Sequence, residues 1–142
     1  MASFSISRTL DAPRELVFQA WTDPRMLGWF FSEVAPSTVP IELDLRVGGV
    51  WQQEMIVAAD TRYVTGGVYR EIVPPERLVF TWGSSGGWPP IEDGLVATVT
   101  FTAIGQQTQM HFELDFPPHY AELGVREGWT ETLDRLVTAL AR

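Results

Sequence analysis

The segment Glu71–Trp82, EIVPPERLVFTW, sets an apolar run on each side of two adjacent prolines. Pro74 drives Val73 toward extended geometry and Pro75 does the same to Pro74, which leaves Pro75 and Glu76 as the expected centre of a tight turn. With a strand pattern on either side, the pair reads as a hairpin corner in preference to a polyproline ligand, which needs an exposed flanking segment. The corner also sets the phase of the strand that follows. Leu78, Phe80 and Trp82 fall on one face of it, with Trp82 at its far end.

The same period of two continues outward in both directions. Upstream, Val39, Ile41, Leu43 and Leu45 alternate with Pro40, Glu42, Asp44 and Arg46 before a Gly48-Gly49 turn. Further strands are expected over Val50–Ala58, Arg62–Val73, Arg77–Trp82, Leu95–Ala103 and Thr108–Phe116. Most connections between them are too short for parallel crossovers, so the sheet is expected to be antiparallel. In the last strand Met110, Phe112, Leu114 and Phe116 face one way while Gln109, His111, Glu113 and Asp115 face the other, so one side of the sheet meets water.

The two ends of the chain complete the pattern. Phe4, Ile6 and Leu10 alternate with Ser5, Ser7 and Thr9 in a first strand. Asp11-Ala12-Pro13 then starts a helix, with Asp11 or Ala12 at the cap and a stripe of Leu16, Val17, Ala20 and Trp21. Asp23-Pro24 repeats the start signal for a second short helix carrying Met26, Leu27, Trp29 and Phe30. From about His119 a helical period returns, with Val125, Trp129, Leu133, Leu136, Val137 and Leu140 on one stripe. A sheet with one oily face and a helix with one oily stripe cover each other. The expected fold is α+β: a curved antiparallel sheet gripping a long C-terminal helix, in a single domain over residues 1–142.

Composition narrows the function. At 142 residues the chain can bury about two-thirds of its unfolded surface without staples. Cysteine is absent, which excludes disulfides, thiolate nucleophiles and cysteine metal sites and agrees with a cytoplasmic location. The N-terminus lacks the basic and apolar regions of a signal peptide, and no apolar run approaches the ~20 residues needed to span a bilayer. The net charge is −8 and all ten cations are scattered arginines, which argues against nucleic acid and anionic membrane as partners. Six Trp and eight Phe can fill a core or line an apolar pocket.

Four segments carry a resemblance over nearly the whole chain: RTLDAPRELVFQAWTDP (Arg8–Pro24), DLRVGGVW (Asp44–Trp51), GVYREIVPPERLVFTW (Gly67–Trp82) and EGWTETLDRLVTAL (Glu127–Leu140). Together they resemble the family similar to the C-terminal domain of the activator of Hsp90 ATPase, within the START-like or Bet v 1-like superfamily. The resemblance implies a helix-grip fold with a seven-stranded sheet, two short helices after the first strand, and a cavity between sheet and long helix that takes apolar molecules. Fold alone does not assign the function. Eukaryotic Hsp90 activators also carry a separate N-terminal domain that takes part in chaperone contact, whereas this sequence starts directly at the gripping domain, so an Hsp90-type chaperone is disfavoured as partner. In the family the last strand often ends in a histidine and an acid, where this sequence has ELDFPP with Leu114 at the histidine's place.

Few residues offer chemistry. His111 lies on the solvent face of its strand and His119 between Pro118 and the long helix, where it can stand at a cavity rim. Neither pairs with another ligand at metal-site spacing, so no metal is expected, and no cofactor fingerprint appears. GSSGGWPP (Gly83–Pro90) follows a strand without opening a helix and fits neither a nucleophile elbow nor a phosphate loop. It reads as a flexible connection, with a lid carrying Trp88 as the functional alternative. Tyr69 and Glu71 read as an outer-face pair, Glu71 opposing Arg77 across the hairpin; facing inward they would form an acid or base pair.

The leading expectation is a domain that binds an apolar small molecule of lipid, polyketide or aromatic type. Its cavity is lined by Trp51, Met55, Phe80, Trp82, Phe101, Met110, Phe112, Trp129 and Leu133, with Gln53 as polar anchor. The alternatives are a cyclase, hydratase or hydrolase using His119, Tyr69 or Glu71 as proton carrier, and a protein-interaction module. A second copy of the chain is an admissible partner.

Overall fold

A computed structural model of the chain describes residues 2–23, 42–58, 61–85, 95–116 and 125–140. Seven strands and two helices follow one another as β1 (Ala2–Leu10), α1 (Arg14–Thr22), β2 (Glu42–Leu43), β3 (Val50–Ala58), β4 (Thr61–Val73), β5 (Arg77–Ser85), β6 (Leu95–Ile104), β7 (Gln107–Phe116) and α2 (Val125–Ala139). The strands form a single antiparallel sheet in the order β1-β7-β6-β5-β4-β3-β2. From β2 to β7 every neighbour in space is a neighbour in sequence, as hairpin connections require. The first strand crosses to the far side and pairs with the last. The architecture is the helix grip: a curved, unclosed sheet with α2 as its C-terminal helix.

Alternation decides which face is wet. On β7, Thr108, Met110, Phe112, Leu114 and Phe116 are buried, whereas Gln109, His111, Glu113 and Asp115 lie on the other face. There His111 Nδ1 is 2.9 Å from the Ser7 hydroxyl of the paired strand. Helix α2 buries Trp129, Leu133 and Leu136 completely and leaves Arg126, Glu127, Glu131 and Asp134 exposed. It is tied to the sheet edge by Arg8 Nε, which donates to Asp134 Oδ1 at 2.8 Å. Aromatic rings fill the space between sheet and helix: Phe112 and Trp129 have centroids 4.6 Å apart, and Trp82 meets Trp129 edge-on at 5.3 Å. Each such pair adds about 0.5–1.5 kcal/mol beyond its burial.

Three sequence expectations are corrected. The first helix is capped by Pro13, not by Asp11 or Ala12; the Pro13 carbonyl accepts from the Leu16 and Val17 N–H groups, and Ala12 is buried with its carbonyl taken by the Thr108 hydroxyl at 2.7 Å. Its apolar stripe shifts accordingly, with Phe18 buried and Leu16 only partly so. The β4–β5 corner centres on Pro74-Pro75, joined by a cis bond, with the Glu76 N–H donating to the Val73 carbonyl; a cis proline at the third position makes this a type VI turn. The strand expected over Val39–Leu45 ends at Leu43, because the chain then turns back, with Asp44 N bonded to Val50 O, and its Val39–Ile41 part lies outside the described residues. Gly48 there has φ +84°, a conformation costly for any residue with a Cβ. The second short helix expected after Asp23 lies outside the described residues.

The sheet's sharpest irregularity lies in β4. Its ladder to β5 runs through Val64–Gly66 and resumes in the same register at Tyr69, with Gly67 and Val68 between them unpaired in the ladder. Side chains satisfy the backbone instead: the Val68 N–H donates to Thr81 Oγ1 (2.9 Å), Thr65 Oγ1 donates to Gly83 O (2.9 Å), and Trp51 Nε1 donates to Thr81 O (3.0 Å). A Cβ on Gly67 would collide with the Thr81 carbonyl and hydroxyl. Glycine at this position is the condition for the three strands to close.

Candidate functional site

Beside that crossing lies a small cleft lined by Trp21, Leu43, Trp51, Gln53, Tyr69, Leu78 and Phe80. Trp21 comes from the last turn of α1, Leu43 from β2, Trp51 and Gln53 from β3, Tyr69 from β4, and Leu78 and Phe80 from β5. Strand pairing sets their spacing. Leu43 is opposite Trp51, and Tyr69 is opposite Phe80. The rings support one another, Trp51 meeting Phe80 edge-on at 5.4 Å and Trp21 lying 5.9 Å from Phe80. The cavity itself is about 10 Å³, room for one water, and it opens outward to solvent.

Tyr69 reaches this cleft because of a β-bulge. Tyr69 pairs with Phe80 but Glu71 pairs with Val79, so Arg70 is an extra residue and the alternation changes phase. Tyr69 is therefore buried, while Glu71 turns outward to Arg77, with Oε1 3.1 Å from Nε. This overturns the reading of Tyr69 and Glu71 as an outer-face pair; only Glu71 faces Arg77 as expected. The β2–β3 turn holds Tyr69 in place, its N–H bonded to Gly49 O and its carbonyl to Gly48 N.

Apart from the two indole N–H groups, the described lining carries polar side chains at Gln53 and Tyr69. Gln53 is 1% exposed and brings an amide with donor and acceptor capacity. Burial pushes the Tyr69 phenol well above its ordinary pKa, so it remains a neutral hydrogen-bond donor at physiological pH. Among the described residues its hydroxyl has no hydrogen-bond partner. Trp51 Nε1 is committed to Thr81 O.

The sequence-predicted lining separates into two groups. Trp51, Gln53 and Phe80 line the cleft, joined by Trp21, Leu43, Tyr69 and Leu78. Trp82, Phe101, Met110, Phe112, Trp129 and Leu133 are buried in the main core, where Phe101 packs edge-on against Phe18. The indole Nε1 of Trp82 is buried there with no acceptor among the described residues. The Met55 side chain, Trp88 and His119 lie outside the described residues. His111 is on the solvent face, far in role from the cleft. Among the described residues no three His, Asp or Glu side chains are grouped to hold a metal ion, and no helix is long and apolar enough to cross a membrane.

Comparison with known proteins decides the relationship. The family described as Activator of Hsp90 ATPase homolog 1-like protein matches residues 11–141. The chain belongs to that family. Members of the Hsp90-ATPase-activator-like family share the helix-grip fold seen here, and 190 chains of known structure match this one. Protein CV1439 from Chromobacterium violaceum is 25% identical with a TM-score of 0.80, the alignment covering 100% of this chain and 99% of that one. A putative uncharacterized protein from Rhizobium leguminosarum is 27% identical over 98% of this chain and 93% of its own, with a TM-score of 0.71. Protein Ms6760 from Mycobacterium smegmatis, 21% identical with a TM-score of 0.80 over 98% of this chain and 90% of its own, supports the fold alone. No curated protein matches the chain.

Proposed function

We propose that this domain binds a small, largely apolar molecule in the cleft bounded by Trp21, Trp51, Tyr69 and Phe80. The observation that carries the reading is the convergence of three aromatic side chains and two leucines on just two polar groups, Gln53 and Tyr69, at a place where the packed interior opens. That is the composition of a ligand site, in which apolar burial supplies affinity and a few polar groups supply orientation. The family's typical role as a ligand-binding domain points the same way. The enclosed space of about 10 Å³ favours a small ligand seated at the open mouth of the cleft over a lipid or polyketide held inside, since pockets for drug-sized ligands run from about 300 to 1,000 Å³. Native mass spectrometry of gently purified protein, compared with the same sample denatured, tests the reading. A discrete extra mass lost on denaturation is the expected result; a bare mass after incubation with mixed aromatic metabolites contradicts it.

An enzymatic role has less support. The bulge removes Glu71 from Tyr69, and burial leaves Tyr69 a poor proton carrier near neutral pH. A protein-interaction module is the second reading, favoured by the exposed apolar Leu45, Val47 and Val50 around the β2–β3 turn. The family's name suggests an Hsp90-type chaperone; absence of any effect on chaperone ATPase would dispose of that partner, as we expect.

A further inference from the structure

We infer that the cleft selects by charge: it takes an uncharged, hydrogen-bond-accepting aromatic ligand, received by the Tyr69 hydroxyl, and rejects the corresponding carboxylate. The inference rests on the proposed binding function and goes further by naming the ligand class.

Three observations carry it. First, among the described residues the lining contains no cation: Trp21, Leu43, Trp51, Gln53, Tyr69, Leu78 and Phe80 are all uncharged. A carboxylate entering such a site loses its water without gaining a partner charge, and an unpaired buried charge costs several kcal/mol or neutralises itself. Second, Tyr69 is buried, and the burial that disfavours its phenolate also disfavours an anion buried beside it. Third, the Tyr69 hydroxyl offers a donor. Trp51 Nε1 is already bonded to Thr81 O, whereas the Tyr69 hydroxyl has no partner among the described residues and the Tyr69 backbone is held by Gly48 and Gly49. A donor in an apolar cleft calls for an acceptor: a carbonyl, an amide or an ether oxygen on a ring. The overall charge of −8 acts in the same direction by repelling anions at long range.

Benzamide and benzoate form the test, because they are near-identical in shape and differ in charge. Their affinities for the intact chain are measured at neutral pH by ligand-observed NMR, and again for Tyr69→Phe, whose fold is checked by its thermal midpoint. Benzamide is expected to bind at least tenfold more tightly than benzoate, and Tyr69→Phe to weaken benzamide by roughly tenfold, the loss of one hydrogen bond worth about 1.4 kcal/mol. Equal or tighter binding of benzoate overturns charge selection while leaving the binding reading intact. Unchanged benzamide affinity in a folded Tyr69→Phe overturns the role of the hydroxyl. Binding of neither probe to the unmodified chain overturns the binding reading, and this inference with it. The comparison of the two probes needs no variant, so misfolding of Tyr69→Phe does not protect the claim.

Discussion

The indole Nε1 of Trp51 on β3 donates to the backbone carbonyl of Thr81 on β5 at 3.0 Å, reaching past the strand that lies between them. Trp51 is opposite Gly67 on that middle strand, and a side chain at Gly67 would occupy the place of the Thr81 carbonyl. Trp51, Gly67 and Thr81 thus bring three strands into close contact beside one wall of the cleft.

Gly67→Ala is the direct probe of this crossing. The added Cβ must displace backbone, and the Val68 N–H stands to lose Thr81 Oγ1. The expected destabilisation is about 2 kcal/mol or more, read as a lower urea midpoint at unchanged slope. Val47→Ala, at a side chain 66% exposed, should stay within about 0.5 kcal/mol.

Trp51 and Trp82 should respond differently to the same substitution. Phenylalanine at position 51 removes packing and leaves the Thr81 carbonyl without its indole donor, whereas at position 82 it removes a buried N–H that has no acceptor among the described residues. Trp51→Phe is expected to cost about 1–2 kcal/mol more than Trp82→Phe in parallel urea titrations. Equal costs would show that the hydrogen bond to Thr81 contributes nothing.

Stability should fall at high pH through Tyr69. Its folded pKa lies above the unfolded value of about 10, so the unfolded chain sheds the proton first. The contribution is complete below about pH 10 and is lost as pH rises further. Above that point the slope of stability with pH is steeper for the unmodified chain than for Tyr69→Phe, by up to about 1.4 kcal/mol per pH unit. Identical slopes would place the phenol in water.

The Arg8–Asp134 pair joins β1 to α2, yet both side chains are substantially exposed, at 33% and 55%. A double-mutant cycle is therefore expected to return a coupling of less than about 1 kcal/mol that shrinks with added salt. A larger, salt-insensitive coupling would mean that the helix depends on this contact.

The sheet was largely legible in the sequence because period-two alternation survives wherever one face meets water, as on β7 with Met110, Phe112 and Leu114 against His111 and Glu113. It failed at Tyr69 for a specific reason. A bulge adds one residue to one strand, and the partner strand that reveals the addition is read separately, so Arg70 looks like an ordinary alternating position. Thr81 was hidden in the same way: a polar residue on an apparent outer face proves to be buried and bonded to Val68. Leu43 and Trp21 belong to the cleft through contacts with segments distant in sequence, which alternation does not encode. The aromatic residues at 51, 80, 82, 112 and 129 were all legible as interior. Their division between a packed core and an open cleft required the coordinates.

The most direct test of the binding account is an amide and indole NMR titration with benzamide, following the N–H signals of the six tryptophans and the Gln53 side chain. The account predicts saturable shifts at Trp21, Trp51 and Gln53, with Trp82 and Trp129 left largely unmoved. Shifts confined to Trp82 and Trp129, or none at any indole, would contradict it.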